Sequence, residues 1–213
     1  MSVYIYCIIV YALGCVAVFL TLESFGRMVN LFRLNDMAKG VVSIVIFTLC
    51  VVPFFTTSNT NGEVINRFSL ASMLYTIFDT PSFLCMFVCI FSILRSFSPK
   101  IGFMISARGL AFLFIAWALL AFNTFGIFDW YYGSINYKIL IMAIFISFGY
   151  CVDRILGVLL LMSFAMWIIF ARYIDIYHAM FDFLVCTICF ILQSVPLKQD
   201  RFHVALLKPK MRR

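Results

Sequence analysis

The stretch 137–171, YKILIMAIFISFGYCVDRILGVLLLMSFAMWIIFA, carries no charge except Lys138 near its start and the pair Asp153-Arg154 in its middle. Residues 155–171 are apolar on every side. They match neither the two-residue alternation of a membrane barrel strand nor the one-sided stripe of a helix on a soluble core. They fit a helix with apolar material all around it. At 1.5 Å per residue a single helix over 137–171 would run about 52 Å, too long for a simple crossing of a hydrocarbon layer about 30 Å thick. Asp153-Arg154 therefore predicts a tight hairpin, closed by a salt-bridged turn, between the short spans Tyr137–Val152 and Ile155–Ala171.

The rest of the chain has the same character. Of its 213 residues 65% are hydrophobic and 12% charged, against about 45–50% and about 25% in an ordinary soluble domain. A soluble fold of this size could not hide that much apolar surface, whereas lipid accepts it. Within lipid each backbone N–H and C=O must be satisfied by the protein, which leaves helices or a closed barrel. The composition thus predicts an all-α, polytopic transmembrane helical bundle. Its 26 Phe, 10 Tyr and 3 Trp suit packing and interfacial anchoring.

Working outward from 137–171, further apolar runs predict spans at Val3–Leu22, Val41 to about Thr56, about Leu70 to Leu94, about Leu110 to Phe128, and Ala179 to Pro196, about seven in all. The first run has no basic residue before it and reads as a span, not a secretion signal. Thr57-Ser58-Asn59-Thr60-Asn61-Gly62 reads as a polar turn, and Asp129-Trp130-Tyr131-Tyr132-Gly133 as a turn with an aromatic belt. Residues 1–197 then form the membrane domain and 198–213 a basic tail.

Charge sets the expected orientation. With the N-terminus outside and the C-terminus cytoplasmic, all but Arg67, Lys138 and Arg172 of the 16 Lys and Arg residues fall on the cytoplasmic side, as the positive-inside rule requires. The net charge of +7 is distributed over short loops and the tail, which points away from nucleic acid. The localisation implied is a plasma membrane, the inner membrane in a bacterium.

Three places could carry function. Asp79, in Phe78-Asp79-Thr80-Pro81, falls about nine residues into the third expected span, near mid-membrane. Acidic residues there are unfavourable by about 2.5–3.5 kcal/mol and face a cavity or a partner. Pro81 cannot donate to the carbonyl of Ile77, so Asp79 and Thr80 together with that carbonyl suggest a proton or cation site. The alternative is a protonated Asp that fixes helix packing. Second, Asp175, His178 and Asp182 are spaced to share one helical face and suggest an outer cation or proton site; a wet interfacial turn with tyrosine anchors explains them as well. Third, the tail residues Lys198, Arg201, Lys208, Lys210, Arg212 and Arg213 would attract anionic lipid or a cytoplasmic partner.

Other chemistry is disfavoured. The eight Cys lie mostly in apolar runs, where Cys acts as a small hydrophobe. Cys186-Thr187-Ile188-Cys189 has the spacing of a redox motif but no basic neighbour to activate a thiol. His178 and His203 fall on opposite sides of the membrane, so they cannot share a haem. No catalytic motif, resident metal or cofactor is expected. The expected roles are a small channel or transporter subunit moving protons, cations or a small solute, as a homo-oligomer or with other membrane subunits, or a non-catalytic anchor in a larger membrane complex.

Overall fold

The computed structural model describes residues 3–28, 34–58, 64–78, 80–98, 105–124, 133–170 and 175–182. These form eight helices and one short hairpin, in the order α1 (Val3–Met28), α2 (Asp36–Val51), β1 (Phe55–Ser58), β2 (Val64–Phe68), α3 (Leu70–Phe78), α4 (Phe83–Phe97), α5 (Ala107–Thr124), α6 (Ile135–Val152), α7 (Arg154–Phe170) and α8 (Ile176–Met180). The helical expectation holds apart from the hairpin.

Two helices are long and apolar enough to cross a membrane, within Val3–Ser24 and Ile135–Val152; the apolar helices within Phe83–Phe97, Ala107–Leu120 and Arg154–Phe170 are shorter. Helix α1 packs against α2, α3 and α4. The row continues from α4 to α7, α6 and α5, while α8 touches α4, α6 and α7. Cys7, Val10, Ala12, Ala17 and Leu20 of α1 are fully buried, as are Leu84, Val88 and Cys89 of α4 and Leu156, Leu159 and Leu160 of α7.

The hairpin at Asp153 is present. A Cβ on Gly149 would come within 2.8 Å of Leu160 Cδ1, although one straight helix would separate residues 149 and 160 by about 16 Å. Asp153 ends α6, its N–H donating to Gly149 C=O at 2.8 Å. It also opens α7: its Oδ1 accepts from the N–H groups of Ile155 at 2.9 Å and Leu156 at 3.3 Å. The expected salt bridge to Arg154 is replaced by this capping, because the unsatisfied N–H groups of the new helix compete for the carboxylate. Gly157 lets the two helices meet, since a Cβ there would lie 2.4 Å from Tyr150 Cα.

The expected third span, Leu70–Leu94, is two helices. Its interruption, described at 80–82, follows from Pro81, which lacks an N–H and disfavours helical geometry in the residue before it. The expected second span also shifts. Asn35 caps α2, its Oδ1 accepting from Ala38 N–H at 2.7 Å, so the helix starts at Asp36. It ends at Val51, because Val52 precedes Pro53 and is extended. Phe55 and Thr56 instead pair with Phe68 and Arg67 in the antiparallel hairpin, whose register shifts between Thr57 and Ser58.

Helix α1 continues past Leu22 to Met28, placing Glu23 inside a helix. The last expected span begins as the five-residue α8, which stops at Met180; residues from 183 onward lie outside the described set.

On α2 burial runs opposite to that of a helix on a water-soluble core. The buried residues of α2 are Lys39, Ser43 and Cys50, while its Val41, Ile44, Val45 and Leu49 are exposed. Ile144 and Phe148 of α6 and Leu161, Ile169 and Phe170 of α7 are exposed too. Apolar exposure on this scale is more than a water-soluble surface usually carries.

Candidate functional site

The interruption between α3 and α4 is the best-defined polar structure inside the described bundle. Ser82 is the N-cap of α4, fully buried, with its Oγ accepting from Cys85 N–H at 3.1 Å. Its own N–H donates to Asp182 Oδ2 at 2.5 Å. One residue earlier, the Pro81 carbonyl accepts from the Tyr6 hydroxyl at 3.2 Å, and the Tyr6 ring packs against Phe83 with centroids 5.1 Å apart. A carboxyl group thus meets the N-terminal end of α4, and the carbonyl of Pro81 gains a donor.

Tyr6 lies in the first turn of α1, so this break sits near one end of the bundle. Pro81 and Ser82 share that end with α3, whose Tyr75 ring is 6.1 Å from Tyr4 of α1. Asp79 itself lies outside the described residues. Thr80 is half-buried at the break.

A second polar group adjoins the first. The Lys138 ammonium donates to Asp175 Oδ2 and stands 5.6 Å from the centre of the Tyr177 ring, within cation–π range. Asp175 is also the N-cap of α8, its Oδ1 accepting from Tyr177 N–H at 3.0 Å. Burial first, then the Asp175 carboxylate and the Tyr137 phenol, pushes the Tyr177 hydroxyl up to about 12. The phenol is neutral at physiological pH.

Asp175, His178 and Asp182 do not share one helical face. Helix α8 ends at Met180, Phe181 is extended, and Phe181 stacks edge-on against Phe145 of α6 at 5.9 Å. Asp175 therefore faces Lys138, exposed His178 stays on α8, and Asp182 reaches Ser82. Among the described residues no group of three His, Cys, Asp or Glu side chains is placed to hold a metal ion. Lys198, Arg201, Lys208, Lys210, Arg212 and Arg213, like Cys186 and Cys189, lie outside the described residues.

Sequence reasoning missed Tyr6, Ser82 and Lys138 as members of this end cluster. Ser82 was detectable as a capping residue directly after Pro81, and Lys138 as a lone cation opening an apolar helix. Nothing near Tyr6 in the sequence announces its distant partner. Searches against protein-family models, curated proteins and solved structures return no match.

Proposed function

We propose that this chain is a polytopic plasma-membrane protein of about seven spans, with its N-terminus outside and its C-terminal tail in the cytoplasm. It serves as a small channel or transporter subunit that moves protons, cations or a small solute past the break between α3 and α4. The observation that carries this reading is the break itself. An apolar helix stops beside Asp79, resumes at Ser82, and takes a carboxylate from Asp182 at its restart. Interrupted helices whose ends meet carboxylates and freed carbonyls are a recurrent way to build ion sites in membranes. The exposed apolar faces of α2, α6 and α7, with Lys39 and Ser43 turned inward, support lipid as the surrounding solvent.

In this reading Asp79 and Asp182 supply exchangeable carboxylates at the outer end, and Thr80 a neutral oxygen. Lys138 neutralises Asp175 and keeps it out of the exchange. Assembly as a homo-oligomer, or with other membrane subunits, provides the lumen that a single small bundle lacks.

Proteoliposomes loaded with a pH-sensitive dye, or with a dye for monovalent cations, test the proposal. Asp79→Asn should abolish flux while insertion and oligomer mass stay unchanged, and Asp182→Asn should reduce it about tenfold. Flux equal to wild type in Asp79→Asn rules out this path.

A second reading has its own support. Ser82 N–H and the Pro81 carbonyl each have a protein partner, which suits a non-catalytic anchor subunit whose break is structural. On that reading, removing the tail after Lys198 releases a co-purifying partner and no flux is seen in any variant.

A further inference from the structure

Capping at Asp153 leaves two arginines unclaimed beside the turn it closes. The carboxylate oxygens are taken by backbone donors, Oδ2 by Ser106 N–H at 2.5 Å and Oδ1 by Ile155 N–H at 2.9 Å and Leu156 N–H at 3.3 Å. Arg154 begins α7, and Arg108 is the second residue of α5. Both side chains are exposed. Among the described residues neither guanidinium has a hydrogen-bond or ion-pair partner.

The packing brings these two arginines together. A Cβ on Gly109 would stand 3.1 Å from Asp153 Cβ, which places the Cα atoms of residues 109 and 153 within about 6 Å of each other. With one residue added on each side, Arg108 and Arg154 are at most about 14 Å apart at Cα, a gap that two extended arginine side chains can close on a single phosphate. A cation in the first turn of a helix opposes the helix dipole, so neither arginine stabilises its own helix in that way. Two guanidiniums against one carboxylate, itself held by backbone N–H groups, leave this end cationic.

Each arginine also heads an apolar stripe. Val158 and Leu161 follow Arg154 on one face of α7, and Ala111 and Ile115 follow Arg108 on one face of α5. All four are exposed. A free anion would use only the guanidiniums, whereas a molecule with phosphate at one end and hydrocarbon at the other meets both the cations and the stripes.

We propose that Arg108 and Arg154 form a binding site for the phosphate headgroup of an anionic phospholipid, whose acyl chains lie along the exposed stripes of α5 and α7. Guanidinium groups pair bidentately with phosphate oxygens. An anionic lipid is preferred to a zwitterionic one because its headgroup brings no cation of its own against the arginines. The site rests on the reading that lipid surrounds the chain, and it does not require transport past the break between α3 and α4.

Native mass spectrometry of the full-length protein in mild detergent, titrated with phosphatidylglycerol or phosphatidylcholine, tests it. The wild type should hold phosphatidylglycerol about tenfold more tightly than phosphatidylcholine. Arg108→Gln combined with Arg154→Gln should remove most of that preference. Lys208→Gln combined with Lys210→Gln, an equal change of charge placed in the tail, should leave it intact. Arg108→Lys combined with Arg154→Lys keeps the charge that orients the chain and should weaken binding about threefold, since an ammonium cannot pair bidentately. Equal losses in the arginine-to-glutamine and tail variants overturn the proposal, because net charge alone then explains the binding. Displacement of the lipid by millimolar inorganic phosphate also overturns it and assigns the arginines to a free anion. A chain that stays dispersed without detergent removes the membrane reading itself, whereas a detergent-requiring chain with no lipid preference removes only this site.

Discussion

Two interruptions of apolar sequence, Asp153-Arg154 and Asp79-Thr80-Pro81-Ser82, begin alike and end differently. At Asp153 the chain turns back on itself. The carboxylate inside the interruption caps α7 and also accepts from Ser106 N–H at 2.5 Å, and Ser106 in turn caps α5, its Oγ accepting from Gly109 N–H at 3.1 Å. One carboxylate thereby joins the starts of two helices. At Pro81 the described partners come from far away: Tyr6 is 75 residues distant in the chain and Asp182 is 100. A turn with no proline keeps its N–H groups and can be closed by its own Asp, whereas Pro81 supplies a carbonyl but no donor. Pro81 breaks the helix locally, and the bundle supplies distant partners for the Pro81 carbonyl and the Ser82 N–H.

That contrast can be broken most severely at Gly157. Replacement by Ala would place a Cβ 2.4 Å from the Tyr150 backbone, which a side-chain rotation cannot relieve. A loss of about 3 kcal/mol is expected, read as a lower midpoint of unfolding in mixed detergent micelles. A midpoint unchanged from wild type would mean that α6 and α7 do not meet there.

Next in size is Asp182→Ala, which leaves the buried Ser82 N–H without its acceptor. About 2 kcal/mol should be lost, with Asp182→Asn recovering a large part of it. If Ala and Asn variants unfold together with wild type, the distant clamp is not a source of stability.

Asp153→Ala should cost about 1 kcal/mol, less than the Asp182 change because the turn is only partly buried and water can replace the carboxylate. Burial by itself pushes the Asp153 pKa up, but hydrogen bonds from Ser106, Leu156 and Ile155 outweigh it and hold the carboxyl below its usual range. The sign follows: a depressed folded value means the contribution is complete above the ordinary carboxylate value of 3.8 and disappears as pH falls through the lower folded one. Between pH 7 and 5 the difference in stability between wild type and Asp153→Asn should therefore stay flat, and it should shrink only in stronger acid. A difference that already declines near pH 6 would assign the effect to another group.

The smallest effect is expected for Tyr6→Phe, which removes one hydrogen bond to Pro81 and keeps the ring on Phe83. About 0.5–1 kcal/mol is predicted. Its informative readout is additivity: combined with Asp182→Ala it should give less than the sum of the two, since both partners hold the same break at Pro81-Ser82.

The sequence by itself determined the helical character, the approximate position of most apolar helices and the reversal at Asp153. These follow from unbroken apolar runs, from helical rise and from the local competition of a short acidic side chain for N–H groups. It also identified Pro81 as a disturbance and Asp175 and Asp182 as worth attention. Pro81 accounts for the division of Leu70–Leu94 into two helices, but only the packing settles that Asp175 and Asp182 serve different partners and that Glu23 and Lys39 face each other across α1 and α2. Helix positions follow from how residues near in sequence meet their solvent, but the partner of a buried charge or a freed carbonyl is whichever group the packing brings within about 3 Å. Neither the spacing nor the composition of one segment contains that information.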